Sequence, residues 1–449
     1  MLRHDDLHTL QQQLQFLATP IVIIDTEATG GNLYQDRLTE VALIRFDEHG
    51  IHTYEQLINP QMTISPFIEE LTGISNDMVA AAPLFEDIAD ELAHFLKDAV
   101  LFAHNSRFDY HFLRLAFKRC GKQLSMPQLC TVKLSRQLYP EHFKHNLDSL
   151  IERFHIVLPQ RHRAMADVAA LTQFLAQASQ ERGHLWQSAL YKHITPSLLP
   201  DWLPEHLKQQ LQALPDEYGM VLIWHKDAKQ PKVRVCEHMY HDMCHKLHAK
   251  QAQDWFASIV KIEGFAAIGP LDAAVMSSQY ADPKQHAFYT IRLIKNDQQR
   301  LQAKIQPLGT QITNEPPFGV FAHPKAAKKA ILEWAREHGF CPKYLDILPQ
   351  TLSEQTPCPI HSSKKCHGWC PQLNEQEDID AALRQEMTKL PIAGWQQRWP
   401  HNAQEVDLVT GQTKQWHVAG SAIQTEDGLW LWDARVFQAL KEHFRKPQA

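Results

Sequence analysis

The sequence lacks the features of a membrane or secreted protein. No window of its 449 residues reaches the roughly 18 consecutive apolar residues that a membrane-spanning helix requires. The first 20 residues hold early acids and no apolar core before small residues, so we expect no secretion signal. An excess of basic residues is also missing, since the net charge is -6. A protein that bound nucleic acid through bulk charge would be basic, so any such contact must be local and assisted by bound cations.

The eight cysteines are unevenly distributed along the chain. Without a secretion signal we expect a reducing compartment, where metal binding is favoured over disulfides. Four clustered thiolates could hold Zn²⁺ or a [4Fe–4S] cluster, and the alternative is unligated thiols. The clustered residues are Cys341, Cys358, Cys366 and Cys370. The others, Cys120, Cys130, Cys236 and Cys244, are expected to be ordinary interior or surface residues.

The first 180 residues show an alternating pattern of strands and helices. Residues 1–19 predict an amphipathic helix, and residues 20–180 predict an α/β domain with a mixed sheet and helices on its faces. The predicted strands cover 21–24, 38–46, 51–59, 100–103 and 129–132. The predicted helices cover 66–73, 83–97, 107–120, 146–154 and 164–178.

The remainder divides by composition. Prolines at four positions predict a linker over 181–215. Residues 216–300 predict a smaller α+β domain that closes with a strand at 289–295. Residues 301–375 form the Cys-rich region, and residues 376–449 a C-terminal tail domain with hairpin strands at 415–423 and 428–432.

Carboxylates follow two of the predicted strands. Asp25 and Glu27 end the first strand, where a period of two places both on one face. Asp109 follows the strand at 100–103, and Asp167 lies in the first turn of the last helix, five positions after His162. Open α/β sheets place their sites at the carboxyl ends of strands, so these side chains are expected to converge.

Four converging acids require a cation, because like charges repel and would drive protons onto the carboxylates. Oxygen ligands suit Mg²⁺ or Mn²⁺, and two such ions can clamp a phosphodiester for hydrolysis. His162 would then take a proton from the attacking water. We expect the charges of Arg161 and Arg163 to favour its neutral imidazole.

These residues carry a resemblance to a known family. The segments Asp25-Thr26-Glu27-Ala28-Thr29-Gly30, His104-Asn105-x2-Phe108-Asp109 and His162-x4-Asp167 resemble the three motifs of DnaQ-like exonucleases of the DEDDh type. Asp36-x3-Glu40 and Leu71-Thr72-Gly73-Ile74 resemble connecting features of that family. The resemblance implies a ribonuclease H-like fold, which we expect to have five strands, two divalent ions, and release of nucleoside 5′-monophosphates from 3′ ends.

By position, the resemblance makes Asp25, Glu27, Asp109 and Asp167 metal ligands and His162 the general base. Ala28, Thr29 and Phe108 are expected to flank the 3′-terminal nucleotide. For Phe108, packing in the core is an equal alternative.

The region 216–300 resembles a degenerate GIY-YIG nuclease domain of the UvrC type. The opening triplet is Gly219-Met220-Val221, without the family's tyrosine, and Val275 to Ser278 stand where the family has its glutamate. We therefore expect binding of nucleic acid or a partner rather than cleavage. The Cys-rich segment resembles the one that follows this domain in UvrC-type proteins, which favours iron–sulfur over zinc.

Three functions remain open at this point. The first is an exonuclease acting on DNA in repair or accessory proofreading, in the cytoplasm of a bacterium. The second is an exoribonuclease that trims RNA, and the third a nucleic-acid-binding scaffold with vestigial catalysis. Expected partners are DNA 3′ ends, and a DNA polymerase or sliding clamp through the pentapeptide at 187–191. No membrane contact is expected.

Overall fold

The structure is a computed structural model. It describes residues 4–158, 161–196, 198–280, 286–295, 297, 301–314, 316–337, 345, 384–385, 390, 392 and 402–445. The four clustered cysteines, Cys341, Cys358, Cys366 and Cys370, lie outside these residues, so a metal centre there stays a prediction. Among the described helices, none is long and apolar enough to cross a membrane.

The N-terminal domain is built on a mixed sheet in the order β3-β2-β1-β4-β5-β6. β1 pairs antiparallel with β2 and parallel with β4. The sheet has six strands rather than the expected five, because the two-residue β6 is too short to show a pattern in the sequence. The strands are β1 (Ile21–Ala28), β2 (Leu38–Asp47), β3 (Gly50–Leu57), β4 (Val100–Ala103), β5 (Gln128–Cys130) and β6 (Ile194–Thr195).

Helices cover both faces of this sheet, as the alternating pattern predicts. One apolar core lies under the N-terminal helix and the last helices of the domain, and the other lies under its fourth and fifth helices. The helices are α1 (His4–Leu14), α2 (Pro66–Thr72), α3 (Asn76–Ala80), α4 (Phe85–Leu96), α5 (Arg107–Arg119), α6 (Thr131–Leu138), α7 (Leu147–Arg153), α8 (Ala164–Glu181) and α9 (Gly183–His193).

The segment expected to be a linker is folded instead. In α9, Trp186, Ala189 and Leu190 are fully buried in the core of the N-terminal domain. Further along, α10 (Glu205–Gln212) packs Leu207 and Leu211 into the next core. The prolines stand between or beside these short elements, where a missing N–H costs little.

The second half contains three further sheets in the described residues. The first, in the order β8-β7-β9, consists of β7 (Gly219–His225), β8 (Lys232–Cys236) and β9 (Ile259–Ala266), with α11 (Met239–Cys244), α12 (Ala252–Ala257) and α13 (Pro270–Ser278). The second, in the order β11-β10-β13, is described with β10 (His286–Lys295), β11 (Leu301–Gly309), β13 (Phe318–Phe321) and α14 (Pro324–Glu337). The strand expected to close the 216–300 unit is β10, which pairs with β11 and β13 instead.

The third sheet of this half, in the order β12-β17-β16-β15-β14, combines the tail with an earlier strand. It consists of β12 (Gln311–Thr313), β14 (Asn402–Val406), β15 (Thr413–Ala419), β16 (Ala422–Gln424) and β17 (Trp430–Trp432), followed by α15 (Ala434–Arg445). The expected hairpin strands near 415–423 and 428–432 correspond to β15, β16 and β17.

Candidate active site

The first two acids lie within β1 itself, which extends four residues beyond the apolar run that predicts it. Ile21 and Ile23 pack in one core, and Val22 packs in the other. Because side chains alternate along a strand, Asp25 and Glu27 continue the face of Ile21 and Ile23. That face is covered by α8, so the two carboxylates point towards the start of that helix.

Asp109 reaches the site from the first turn of α5. Its side chain is 2% exposed. The backbone N–H and the hydroxyl of Thr26 both donate to its Oδ1, over 3.0 and 2.9 Å. Two donors from the residue between Asp25 and Glu27 therefore fix the Asp109 carboxylate against β1.

Asp167 and His162 complete the cluster from the start of α8. Ligand atoms of Glu27, His162 and Asp167 all lie within 4.8 Å of one another. His162 has a φ of 57°, a left-handed conformation that is uncommon for residues other than glycine. The structure thus brings Glu27, His162 and Asp167 together at the C-terminal end of β1, and Asp25 and Asp109 lie close enough to interact with the other acids electrostatically.

A buried ion pair holds this end of α8 in place. Glu40, which lies opposite Glu27 in the register of β1 and β2, is fully buried. Its carboxylate accepts from Nε and Nη2 of Arg163, at 3.0 and 2.6 Å, and from the N–H of Ala164 at 2.8 Å. The carboxylate therefore satisfies an otherwise unpaired N–H at the N-terminus of α8, beside His162.

The acids of the site are electrostatically strained. Burial raises the pKa of Asp25 well above its usual range, and the charges of Asp109, Asp167 and Glu27 raise it further. Burial and the neighbouring acids raise the pKa of Glu27 to about 8. Burial also raises the pKa of Asp109 to about 7, although the Thr26 hydrogen bonds oppose this. Such a cluster favours a bound cation, which would stabilise all the ionised carboxylates.

Both arginines beside His162 are paired with carboxylates. Arg161 forms ion pairs with Asp167 and Asp148, and Arg163 pairs with Glu40. Each guanidinium therefore faces an acid, and the expectation that these charges favour the neutral imidazole of His162 stays a prediction. The sequence did not reveal the ion pair of Glu40 with Arg163. The one available signal was that Glu40 is an acid next to the apolar residues of β2.

Two of the residues expected to contact the substrate, Phe108 and Thr29, differ in their burial and in their contacts. Phe108 is half-buried, and its ring packs on Phe112 with centroids 4.6 Å apart. Thr29 is 7% exposed. Its hydroxyl donates to Asp36 and its N–H to the carbonyl of Arg37. Thr29 therefore closes the loop after β1, and its hydrogen-bonding groups are engaged within the chain.

Comparison with known proteins identifies two segments. Residues 22–175 match the family model described as "Exonuclease" (RNase_T), and residues 288–389 match the UvrC/Cho excinuclease middle domain. The chain carries an exonuclease domain and a UvrC-type middle domain. The middle-domain match begins within β10, which agrees with the separation of β10 from the β8-β7-β9 sheet.

Curated relatives match mainly over the exonuclease domain. The chain is 38% identical over 153 residues to a "DNA polymerase III PolC-type" of Caldanaerobacter subterraneus subsp. tengcongensis, covering 34% of this chain and 11% of that protein. It is 32% identical over 174 residues to "3′-5′ exonuclease DinG" of Staphylococcus epidermidis, covering 38% of this chain and 19% of that protein. The chain thus spans only about a tenth to a fifth of these relatives' lengths.

A solved structure, "Exonuclease X in complex with 5′ overhanging duplex DNA", is 26% identical and covers 36% of this chain and 93% of that chain, with a TM-score of 0.30.

The structure also bears on two other expectations from the sequence, the sliding-clamp pentapeptide and the GIY-YIG-like region. The sliding-clamp pentapeptide at 187–191 lies within α9 with Leu190 fully buried, so it is not available as a binding motif. In the GIY-YIG-like region, Gly219 lies in β7, where an added Cβ would collide with the carbonyl oxygen of Phe265. Packing alone therefore accounts for this glycine, and a GIY-YIG relationship stays a prediction.

Proposed function

We propose that this chain is a divalent-metal-dependent 3′→5′ exonuclease that acts on DNA and releases nucleoside 5′-monophosphates. The observation that carries the proposal is the grouping of Glu27, His162 and Asp167 at the C-terminal end of β1, with Asp25 and Asp109 in electrostatic range of the other acids. The exonuclease-family match over the same residues and the 3′-5′ exonuclease activity named for the DinG relative support the reaction and its direction.

The donor set fits hard divalent cations. Four carboxylates with raised pKa values offer oxygen ligands of the kind that Mg²⁺ and Mn²⁺ prefer. Asp25, Glu27, Asp109 and Asp167 would hold the ions. Bound there, a pair of ions would activate water and stabilise the charge that develops on the scissile phosphate.

The chain's own groups would then position and deprotonate the nucleophile. His162 lies beside Glu27 and Asp167, where a ring nitrogen would accept a proton from water. Thr26 keeps Asp109 aligned with β1. The exposed part of the Phe108 ring and the backbone at Ala28 and Thr29 would flank the terminal nucleotide.

We favour DNA as the substrate because of the proteins and the second domain family that this chain resembles. The PolC-type relatives are DNA polymerases by name, and the middle-domain model is that of an excinuclease. We propose a role in DNA repair or accessory proofreading, with a DNA polymerase as a partner. The second half would bind nucleic acid or protein, and the cysteine cluster would hold [4Fe–4S] or Zn²⁺.

The test compares DNA and RNA oligonucleotides of one sequence. Each is labelled at its 5′ end and incubated with the wild type and with Asp167→Asn, in Mg²⁺ and in EDTA. We expect a ladder that shortens from the 3′ end on DNA, only in Mg²⁺ and only with the wild type, and nucleoside 5′-monophosphates by chromatography.

An exposed carboxylate on α4 provides the matched control. Glu91→Gln removes one exposed charge that is not part of the cluster, so this variant should digest DNA at the wild-type rate. Digestion of RNA alone would replace the DNA assignment with RNA trimming. No digestion of either strand by the wild type would leave only a binding function.

A further inference from the structure

Three polar side chains on α5 form a stripe that faces the second half of the chain. Tyr110, Arg114 and Lys118 are spaced four residues apart, so they lie on one face of the helix. We call this stripe, together with the residues it contacts, the α5 seam. Its position is notable because the same helix carries Asp109 in its first turn.

Each member of the stripe contacts residues that follow α10. The Tyr110 hydroxyl donates to Oδ2 of Asp216 over 3.2 Å, and Nη1 of Arg114 donates to the Asp216 carbonyl over 2.8 Å. Nζ of Lys118 lies 2.7 Å from a carboxylate oxygen of Glu217 and 2.7 Å from one of Asp407. The stripe therefore binds both the segment before β7 and the turn between β14 and β15.

Most of the seam is shielded from solvent, since the side chains of Lys118, Glu217 and Asp407 are 22%, 12% and 10% exposed. Asp216 is 3% exposed, and Nδ1 of His241 lies 2.6 Å from its Oδ2. Burial alone would raise the pKa of Asp216, but the hydrogen bond and charge of His241 lower it overall, with further lowering from His238 and Arg114. Removing one member would leave a buried charge or hydroxyl unpaired, which is costly.

The seam and the active site share one rigid element. Asp109 precedes Tyr110, and Thr26 fixes its carboxylate against β1. A helix transmits displacement along its axis because its backbone hydrogen bonds resist bending. A shift of about 1 Å in a positioned group can cost about 100-fold in rate.

Resting on the proposed nuclease function, we propose that the α5 seam makes the second half of the chain a positioning element for the active site. Tyr110, Arg114 and Lys118 are positioning residues that act through Asp109. Contacts from Asp216, Glu217 and Asp407 hold α5 at the setting where Asp109 completes the cation site.

The test reverses one charge of the seam in the full-length chain. Lys118→Glu brings a third acid against Glu217 and Asp407, and adding Glu217→Lys restores an opposite pair. Three quantities are measured: Mn²⁺ affinity by electron paramagnetic resonance, kcat and KM on a DNA oligonucleotide, and the melting temperature. We expect Lys118→Glu to weaken Mn²⁺ binding and lower kcat by about 2- to 30-fold with KM unchanged, and the double variant to recover both.

Lys122→Met is the matched control. Lys122 also forms an ion pair over 2.7 Å, but with Asp90 of α4, so it does not cross the seam. This control should keep wild-type Mn²⁺ affinity and kcat. Lys118→Met supplies a milder variant if the reversal fails to fold, and should weaken Mn²⁺ binding in the same direction.

The outcomes separate the two proposals. Wild-type Mn²⁺ affinity and kcat in folded Lys118→Met, with or without a lower melting temperature, would show a purely structural seam and overturn the inference. If the wild type binds Mn²⁺ without degrading nucleic acid, the nuclease proposal fails, and Mn²⁺ affinity alone still decides whether the seam positions Asp109. A wild type that binds no Mn²⁺ overturns both.

Discussion

Three acids of the active site destabilise the folded chain when they are ionised. Asp25, Glu27 and Asp109 all ionise less readily than in water, because burial and mutual repulsion oppose their charges. A group of this kind is retained for function rather than stability. The cost should therefore be measurable as a dependence of stability on pH and on metal.

The first prediction concerns pH without metal. The pKa of Glu27 rises from its ordinary value of 4.5 to about 8 on folding, so between these values the folded chain keeps a proton that the unfolded chain has lost. Its contribution to stability is fully present below pH 4.5 and is lost as pH rises through about 8. In EDTA, the melting temperature should fall from pH 6 to pH 8, and the fall should be smaller in Glu27→Gln.

Glu91→Gln is again the control, because Glu91 is exposed on α4. It should reproduce the wild-type pH profile. Equal slopes for Glu27→Gln and the wild type would mean that Glu27 does not carry the raised pKa.

The second prediction concerns the general base. His162→Ala removes the group placed to accept a proton while leaving the four acids in place, so kcat should fall by about 10²- to 10⁴-fold. KM and Mn²⁺ affinity should change far less. Rates are to be compared from pH 6 to 9 in Mg²⁺, and an unchanged kcat would remove His162 from the mechanism.

At this scale the sequence located the acids because each is tied to a strand end or to a helix start. It did not reveal the partners of Arg161, Arg163 or Glu40. The pairing of Arg163 with Glu40, across 123 positions, depends on how β2 and α8 pack, and no local pattern encodes that.

At the scale of elements, α8 depends on a buried acid from another strand. Glu40→Gln would leave the Arg163 guanidinium without its counter-charge and weaken the hydrogen bond to the Ala164 N–H. We predict a loss of roughly 1–3 kcal/mol in the free energy of unfolding, measured by urea denaturation, because the 26%-exposed Arg163 and the Ala164 N–H lose a charged acceptor.

An exposed ion pair of the same domain is the comparison. Asp90→Asn breaks the pair with Lys122, and the Asp90 side chain is 87% exposed. That change should leave the urea midpoint almost unaltered. A Glu40 variant as stable as this one would show that the buried pair does not anchor α8.

A substitution at Trp186 tests whether α9 is part of the folded exonuclease domain. Trp186 is 1% exposed and its ring N–H donates to the carbonyl of Gln13 over 3.0 Å. Trp186→Ala should cost about 3–5 kcal/mol in unfolding free energy. Thermal melting of the full chain checks this. A melting temperature close to that of the wild type would indicate that residues 183–193 act as a linker.

The linker expectation failed for a physical reason. Proline spacing marks where elements stop, and it cannot show whether the short pieces between prolines are buried. Leu190, Leu207 and Leu211 find partners only in the folded chain.

At the scale of the whole molecule, the two halves differ in how well sequence patterns describe them. The N-terminal half has long alternating elements, so its layers followed from periodicity, while the roles of its site residues came from the acids at strand ends together with the family resemblance. In the second half the strands are assembled from distant segments: β12 pairs with β17, more than a hundred residues later. Sheet membership there is set by tertiary pairing, which explains why β10 was assigned to the wrong neighbour.

The central claim is that four carboxylates from β1, α5 and α8 share divalent cations. The most direct measurement is a titration of the metal-free wild type and of Asp25→Ala with Mn²⁺, in which electron paramagnetic resonance reports how much Mn²⁺ is bound. Removing Asp25 relieves repulsion, so the variant should stay folded in EDTA with a melting temperature at or above that of the wild type. The account predicts two Mn²⁺ ions per wild-type chain and weakened or lost binding in Asp25→Ala. Undiminished Mn²⁺ binding by folded Asp25→Ala, or none by the wild type, would contradict it.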